Sequence, residues 1–486
     1  MPEDLNVLFL AAEAEPFVKV GGLGDVAGSL PRALRSLPLE NTRGTSPDVR
    51  LVLPMHSVLR PERHGLRPLL VFPVLYRSGP IAVQAFVTQL DGMPVYLLDA
   101  EPIARSGSVY SSDASLDGEK YAFFSLAALE FARSLEWRVN ILHANDWHTA
   151  LACYALLLRR RQGEYAGVAT VLTVHNLPFM GPDLSTLLTS FDLAQVETGL
   201  PPWARARPLA LGLWAADSIV AVSPSYALEM QTGESGSGLE DYLRARRESL
   251  SGILNGIDTE SFNPALDPAI GSNFGVPTLE RRMLNKTALQ VRIGLPADPD
   301  VPVFGVVSRL DPQKGIDLLG PALRRLRDKS WQAVVLGSGM PRVERALQRL
   351  EREFPQQLRV ELRYDPGLAR QIYAGADLLL MPSRYEPCGL AQMIAMRYGC
   401  IPIVSAVGGL RDTVTDGENG FVMGVPTAAR LAAATQRAMR LLADKPAWAS
   451  MQRAAMAQDH SWVASARQYL ELYQRLLLQS APSAAS

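Results

Sequence analysis

Residues 381–410 read MPSRYEPCGLAQMIAMRYGCIPIVSAVGGL, and their punctuation sets the fold. The apolar run 376–381 predicts a buried strand, closed by Pro382, which has no amide to continue a ladder. A short loop then presents Glu386, Cys388 and Gly389 before Leu390 opens a helical pattern that ends near Gly399. Residues 401–404 predict the next strand, and Gly408-Gly409 the next turn into helix. Such strand–loop–helix–strand units build parallel sheets, whose ligands bind outside the carboxyl ends of the strands. Helix N-termini at that rim carry unpaired amides suited to an anion. Read alone, the stretch is better explained as an ordinary βαβ repeat with a surface glutamate, so the remainder of the chain decides.

At 486 residues the chain exceeds what one hydrophobic core usually organises, which predicts two domains. It is 48% hydrophobic and 20% charged, the balance of an ordinary soluble protein. A formal net charge of −1 gives no global pull toward nucleic acid or an anionic membrane, so any anion site is local. Cys153, Cys388 and Cys400 form neither a disulfide framework nor a metal-ligand spacing, and a reducing cytoplasm is expected. Neither a signal peptide nor a bilayer-spanning apolar run is evident.

Working outward, residues 6–10, 50–53, 140–143, 170–174 and 218–222 predict strands, with hairpin material over 70–98. Helices are expected over 26–37 and, with strong amphipathic spacing, over 121–136. Residues 38–48 predict a turn-rich, mobile surface excursion. Three early strands end in polar residues: Asp146 follows His143, His175-Asn176 follows Val174, and Ser223 follows Val222. After a Pro- and Asn-rich stretch a second βα series begins, with Ser308-Arg309 at its first strand tip. The fold class is therefore α/β, with two Rossmann-like doubly wound domains facing a cleft. Expected bounds are 1–258 for the first domain, 259–278 for a linker and hinge, 279–461 for the second domain, and 462–486 for a C-terminal helix.

Two stretches carry further chemistry. Lys19-Val20-Gly21-Gly22-Leu23-Gly24-Asp25 lets backbone approach a phosphate ahead of a helix, although it is neither a Walker loop nor the spaced Rossmann fingerprint. A tight turn with a surface lysine explains it equally well. Arg309-Leu310-Asp311-Pro312-Gln313-Lys314-Gly315 places two cations at a strand tip, where they can clamp a diphosphate or simply face solvent. His143, Asp146 and His148 lack zinc spacing, and no nucleophile pattern accompanies His175.

Taken together, KVGGLGDV (19–26), HANDWH (143–148), TVHN (173–176), VSPSYA (222–227), ILNGID (253–258), SRLDPQKG (308–315), SRYEPCGLAQ (383–392) and GGLRDTV (408–414) resemble bacterial glycogen synthases and plant starch synthases, in the family's order and over nearly the whole chain. The resemblance implies the GT-B arrangement, with the C-terminal helix returning to the first domain. It also implies retaining transfer of glucose from ADP-glucose to the non-reducing 4-OH end of an α-1,4-glucan such as glycogen, without a metal. By the same resemblance Arg309 and Lys314 clamp the diphosphate and Lys19 is their first-domain counterpart. Gly21 and Gly22 bring amides to the phosphates beside Asp25. Tyr364 stacks on adenine. Glu386 is the essential carboxylate in the donor loop with Cys388 and Gly389, ahead of Gly408 and Gly409. His175, Asp146 and Asn255 serve the donor and acceptor sugars. No cofactor, nucleic acid or membrane is implied.

Some positions depart from the family's pattern. Phe179-Met180 replaces Tyr-Gln, Ala210 a lysine, Ala391 a threonine, and Ser405-Ala406-Val407 an Arg-x-Thr. Each removes a polar or cationic group, and a missing hydrogen-bond partner in a closed site costs about 1–3 kcal/mol. A changed donor such as UDP-glucose, a changed or short acceptor, and a weakly active glucan-binding paralogue all stay open at this point.

Overall fold

The computed structural model describes residues 5–38, 47–76, 79–193 and 195–480. Contacts divide the chain into two compact units, Met1–Gly256 with Trp462–Ser486, and Ile257–Ser461.

The first unit holds a nine-stranded sheet in the order β3-β4-β5-β2-β1-β6-β7-β8-β9. Its strands are β1 (Asn6–Leu10), β2 (Asp48–Pro54), β3 (Arg67–Tyr76), β4 (Gly79–Leu90), β5 (Met93–Asp99), β6 (Ile141–Asn145), β7 (Ala169–Val174), β8 (Ser218–Ala221) and β9 (Leu250–Gly252). β3 to β5 pair antiparallel as hairpins, while the β5-β2-β1-β6-β7-β8-β9 run is parallel. The parallel strands are nearly continuous in apolar residues because helices cover both faces, so alternation disappears. Chain order reverses between β1 and β6, which opens a crevice beyond their carboxyl ends.

The second unit holds a six-stranded parallel sheet in the order β12-β11-β10-β13-β14-β15. These are β10 (Val303–Val307), β11 (Gln332–Leu336), β12 (Leu358–Glu361), β13 (Leu378–Met381), β14 (Ile401–Val404) and β15 (Phe421–Val422). Relabelled from its own first strand, the order is that of the dinucleotide-binding fold, and its switch point lies between β10 and β13. The stretch that opened the analysis forms β13, the helix Ala391–Arg397, β14 and the helix Gly408–Thr413.

Three expectations on helices and linkers differ from what forms. The first helix begins at Gly22 rather than Val26 and runs to Arg35, drawing the glycine loop into its first turn. The helix expected at 121–136 runs from Ala114 to Ser134 behind an Asp113 cap, and it is buried on nearly every side rather than amphipathic. Residues 259–278, expected as a linker, are tied into the second unit by Arg370–Asp267 (3.1 Å) and by Asn285 Nδ2 donating to Ser272 O (2.7 Å). Most of the excursion expected at 38–48 lies outside the described residues, as does the end of the C-terminal segment; Asp48 already belongs to β2.

The C-terminal helix Trp462–Ser480 completes the first unit's core. Trp462, Ala466, Tyr469, Leu470, Leu472, Tyr473 and Leu476 pack in one apolar cluster with Phe9, Val26, Leu30 and Leu51. No helix among the described residues is long and apolar enough to cross a membrane.

Candidate active site

In the second unit the site grows from the two strands that flank the switch point. β10 ends at Val307, and the chain turns through Arg309 to the short helix Pro312–Lys314. Asp311 shapes this turn: its carboxylate accepts from the Lys314 amide (3.0 Å) and pairs with the Arg309 guanidinium (3.3 Å). Arg309 stays mostly exposed at the rim. Gly315 follows with φ +67°, and a Cβ there would lie 1.9 Å from Pro382 O, so the two loops approach closer than any side chain permits.

β13 delivers Glu386 to the same place. Lys314 Nζ donates to both Glu386 carboxylate oxygens at 2.7 Å, and Ser383 Oγ donates to one of them at 2.9 Å. Both partners are largely buried, which makes this a shielded ion pair rather than a surface one. Behind it, Gly409 N bonds the carbonyls of Glu386 and Pro387, both at 3.2 Å. Gly408 has φ +42°, and its missing Cβ would sit 2.1 Å from Glu386 O. Gln392 Nε2 donates to Cys388 O (3.2 Å) and Gly389 O (2.9 Å), fixing the rest of the loop. Tyr364 stands apart, beyond the end of β12 and 80% exposed, with a whole ring face available.

The first unit gathers its residues beyond β1, β6 and β7. Lys19 is paired with Asp25 (2.6 Å) and Glu15 (2.8 Å). Burial works against its charge, but the two carboxylates more than compensate and hold its pKa above the ordinary lysine value. The amides of Val20 and Gly21 are occupied by the carboxylate of Glu13, which also accepts from Tyr110 OH at 3.0 Å. Burial raises the Glu13 pKa against the pull of those donors. Gly22, the first helical residue, has open space where a Cβ would be.

Asp146 is buried with φ +53°, in the left-handed region that aspartate tolerates better than most side chains. Its carboxylate accepts from the amides of His175 (2.7 Å) and Asn176 (3.3 Å), joining the tips of β6 and β7. Burial nevertheless pushes its pKa up to about 7. The His175 ring bonds Asn145 Oδ1 at 2.9 Å through Nε2, and Asn145 Nδ2 in turn donates to Leu10 O. That second bond fixes Oδ1 as an acceptor, so Nε2 of His175 carries the proton and Nδ1 is left to accept. Burial lowers the His175 pKa to about 3, so the ring is neutral at pH 7. Asn255 follows β9 and is buried, with no hydrogen-bond partner for its Oδ1 among the described residues.

The structure thus joins Arg309, Lys314, Glu386, Cys388, Gly389, Gly408 and Gly409 in one loop cluster. It joins Lys19, Asp25 and Gly21 in a second, and Asp146 with His175 in a third. Glu13, Tyr110, Asn145, Ser383 and Asp311 belong to these clusters and were not singled out from sequence. Asn145 lay inside the quoted HANDWH block, and Glu13 lies just past the first apolar run. No grouping of three or more His, Cys, Asp or Glu side chains among the described residues is arranged to hold a metal.

A family model described as the starch synthase catalytic domain matches residues 6–245, and one described as glycosyl transferases group 1 matches residues 290–455. A glycogen synthase of Anaeromyxobacter dehalogenans is 39% identical over 97% of this chain and 99% of its own. This chain belongs to the glycogen and starch synthase family. Another member, a glycogen synthase of Clostridium perfringens, is 37% identical over 97% of the chain and 98% of its own. Among solved structures, the catalytic domain of starch synthase IV from Arabidopsis thaliana, bound to ADP and acarbose, superposes with a TM-score of 0.86 at 33% identity, covering 98% of this chain and all of that one. Sucrose-phosphate synthase from Thermosynechococcus elongatus shares the fold, with a TM-score of 0.62 at 21% identity over 98% of this chain and all of that one. The family member described here is accordingly a glycosyltransferase with the two Rossmann-type units of the GT-B fold.

Proposed function

We propose that the protein transfers glucose from ADP-glucose to the 4-OH at the non-reducing end of an α-1,4-glucan, with retention, in the cytoplasm. The observation that carries this reading is the shielded Lys314–Glu386 pair at the switch point of a dinucleotide-type sheet, with Arg309 on the rim beside it. A departing nucleoside diphosphate gains charge as the glycosidic bond breaks. Fixed cations in a site of low dielectric stabilise that charge without reorganising. Lys314 supplies this from its shielded position in the second unit, Arg309 adds a second cation from the exposed rim, and Tyr364 offers its exposed ring to the base. Glu386, held by Lys314 and Ser383, accepts from the donor glucose hydroxyls. In the first unit the Gly21 amide is held by Glu13, so phosphate contacts there fall to Lys19, which Asp25 positions, and to the open turn at Gly22. Neutral His175, with Nδ1 as acceptor, orients a sugar hydroxyl. Asp146 and Asn255 complete the polar wall for the sugars. Retention follows if the acceptor attacks on the face the diphosphate leaves, and the leaving phosphate takes the acceptor's proton.

A second reading has specific support. Ser405 is buried with its hydroxyl turned to Met381 O at 3.5 Å, and Val407 begins the helix Gly408–Thr413 without a side-chain cap. The polar groups that the family usually places there are missing, which favours an altered nucleotide sugar or a short acceptor. Steady-state rates with ADP-glucose and UDP-glucose, on glycogen and on short maltooligosaccharides, with product linkage analysed, separate the two. Turnover confined to ADP-glucose with new α-1,4 bonds supports the first. Glucan binding with no nucleotide release from any donor refutes both.

A further inference from the structure

Beneath the His175 wall lies a second polar pair that the proposed chemistry does not use. His143 and Asn145 lie two residues apart on β6, and Thr173 and His175 straddle the end of β7 in the same way. The register pairs Asn145 with Thr173, so the side-chain bonds His143–Thr173 and Asn145–His175 take the same diagonal across the ladder. They form two rungs on one face of the sheet. The upper rung, Asn145 to His175, sets the tautomer of the candidate catalytic ring. The lower rung, His143 Nε2 to Thr173 Oγ1 at 2.7 Å, is completely buried.

The lower rung is completed from far along the chain. Tyr473 OH bonds His143 Nδ1 at 2.6 Å, and Tyr469 OH lies 3.3 Å from Thr173 Oγ1. Both tyrosines are fully buried and lie one helical turn apart on the C-terminal helix. A neutral imidazole has one donor and one acceptor, and here both ring nitrogens are satisfied in a dry core. Removing one hydroxyl leaves the histidine or the threonine with a polar atom that water cannot reach. The strands must then shift or the ring must turn.

We propose that Tyr473 and Tyr469 are positioning residues for transfer: through His143 and Thr173 they hold β6 and β7 in the register that places Asn145 against His175. The C-terminal helix therefore tunes turnover as well as filling the core. This inference rests on the reading of His175 given under Proposed function. It adds that the ring's orientation is set two residues below the site by hydroxyl groups from the chain's far end.

The test is Tyr473→Phe and, independently, Thr173→Val, each of which deletes a hydroxyl with little change in volume. Turnover and donor KM are measured well below each variant's melting temperature. A small displacement of a reacting group lowers rate steeply, so we expect kcat to fall by about tenfold with donor KM changed by less than about twofold. Thr173→Ser, which restores the hydroxyl, recovers most of that loss. A lowered melting temperature with wild-type kcat in a soluble variant of either kind overturns the inference, because a purely structural bond predicts that result. If Tyr473→Phe fails to fold, Thr173→Val and its serine rescue decide. His175→Ala serves as the reference. Wild-type turnover there refutes the site reading itself, whereas its loss beside full turnover in the two hydroxyl deletions refutes only the ladder.

Discussion

Consider Lys314→Ala. The lysine makes two charge-assisted bonds of 2.7 Å to Glu386, whose side chain is 7% exposed against 18% for the lysine. Truncation leaves a carboxylate in a shielded site with Ser383 Oγ as its remaining side-chain donor. Stranding one member of a buried pair costs about 3–5 kcal/mol, more than the intact pair contributes over an apolar replacement. In a unit of this size each kcal/mol moves the melting point by about 2–4 °C, so the second unit should melt roughly 10 °C lower. The double variant Lys314→Met/Glu386→Gln removes both charges and should regain most of that stability. Turnover should behave differently: the single and the double variant should each lose about 10²-fold or more, the scale for one preorganised transition-state contact. Calorimetry of the three proteins beside their steady-state rates separates the two effects. A double variant as unstable as the single refutes the stranded-charge argument, and turnover within about threefold of wild type refutes the catalytic role.

Three other perturbations have definite outcomes. Tyr364→Ala should raise donor KM by about tenfold with little change in kcat, since a stacked base is worth about 1–3 kcal/mol in ground and transition state alike; a loss confined to kcat would refute stacking. Gly315→Ala should cut turnover because its Cβ meets Pro382 O and must move Lys314, whereas Gly417→Ala, also at positive φ but in open space, should cost about 1–2 kcal/mol of stability and leave rates alone; equal kinetic effects would count against the close approach. Acid should destabilise the fold below about pH 6.5. Burial holds His143 at about 3 and His56 and His460 at about 4, so the unfolded chain takes protons that the folded one refuses, and the stability is lost as pH falls toward those values. Asp146, raised to about 7, works in the opposite sense, as do Glu13 and Asp25, which burial also raises, but His148 and His175 are held down as well, so stability from denaturant unfolding should drop by about 1–3 kcal/mol between pH 6.5 and 5; a flat profile would refute the buried-neutral assignment.

Much of this site could be read from residue order because its parts are local. Strand, proline, loop and helix follow one another from Leu378 to Arg397, and a parallel sheet brings every such loop to one edge. The switch point could be anticipated in kind but not in place, because which strands flank it depends on crossovers. The missed residues act across long separations. Tyr110 reaches Glu13, and Tyr473 reaches His143, through contacts that no periodicity encodes. The helix Ala114–Ser134 was misread for a related reason. Its spacing suggested one wet face, but neighbouring layers cover nearly all of it. Gly22 can open a helix because glycine's poor propensity is felt in a helix interior and not at its first position, while Glu13 fixes the extended turn just ahead of it. The departures at Ala210 and Met180 fall on buried positions, whereas Phe179 is exposed, so only the last presents a new surface to solvent.

The first unit is interrupted in the chain by the whole of the second. Its core needs Trp462, Tyr469 and Leu476, which are synthesised after Ile257–Ser461. At about 5–20 residues per second the ribosome takes roughly 10–40 s to cross that insertion. Throughout that time the apolar residues that the C-terminal helix covers in the finished unit, Phe9, Val26, Leu30 and Leu51 among them, lack that cover. The inserted unit, contiguous in sequence, is free to fold first, so the half begun earliest is finished last.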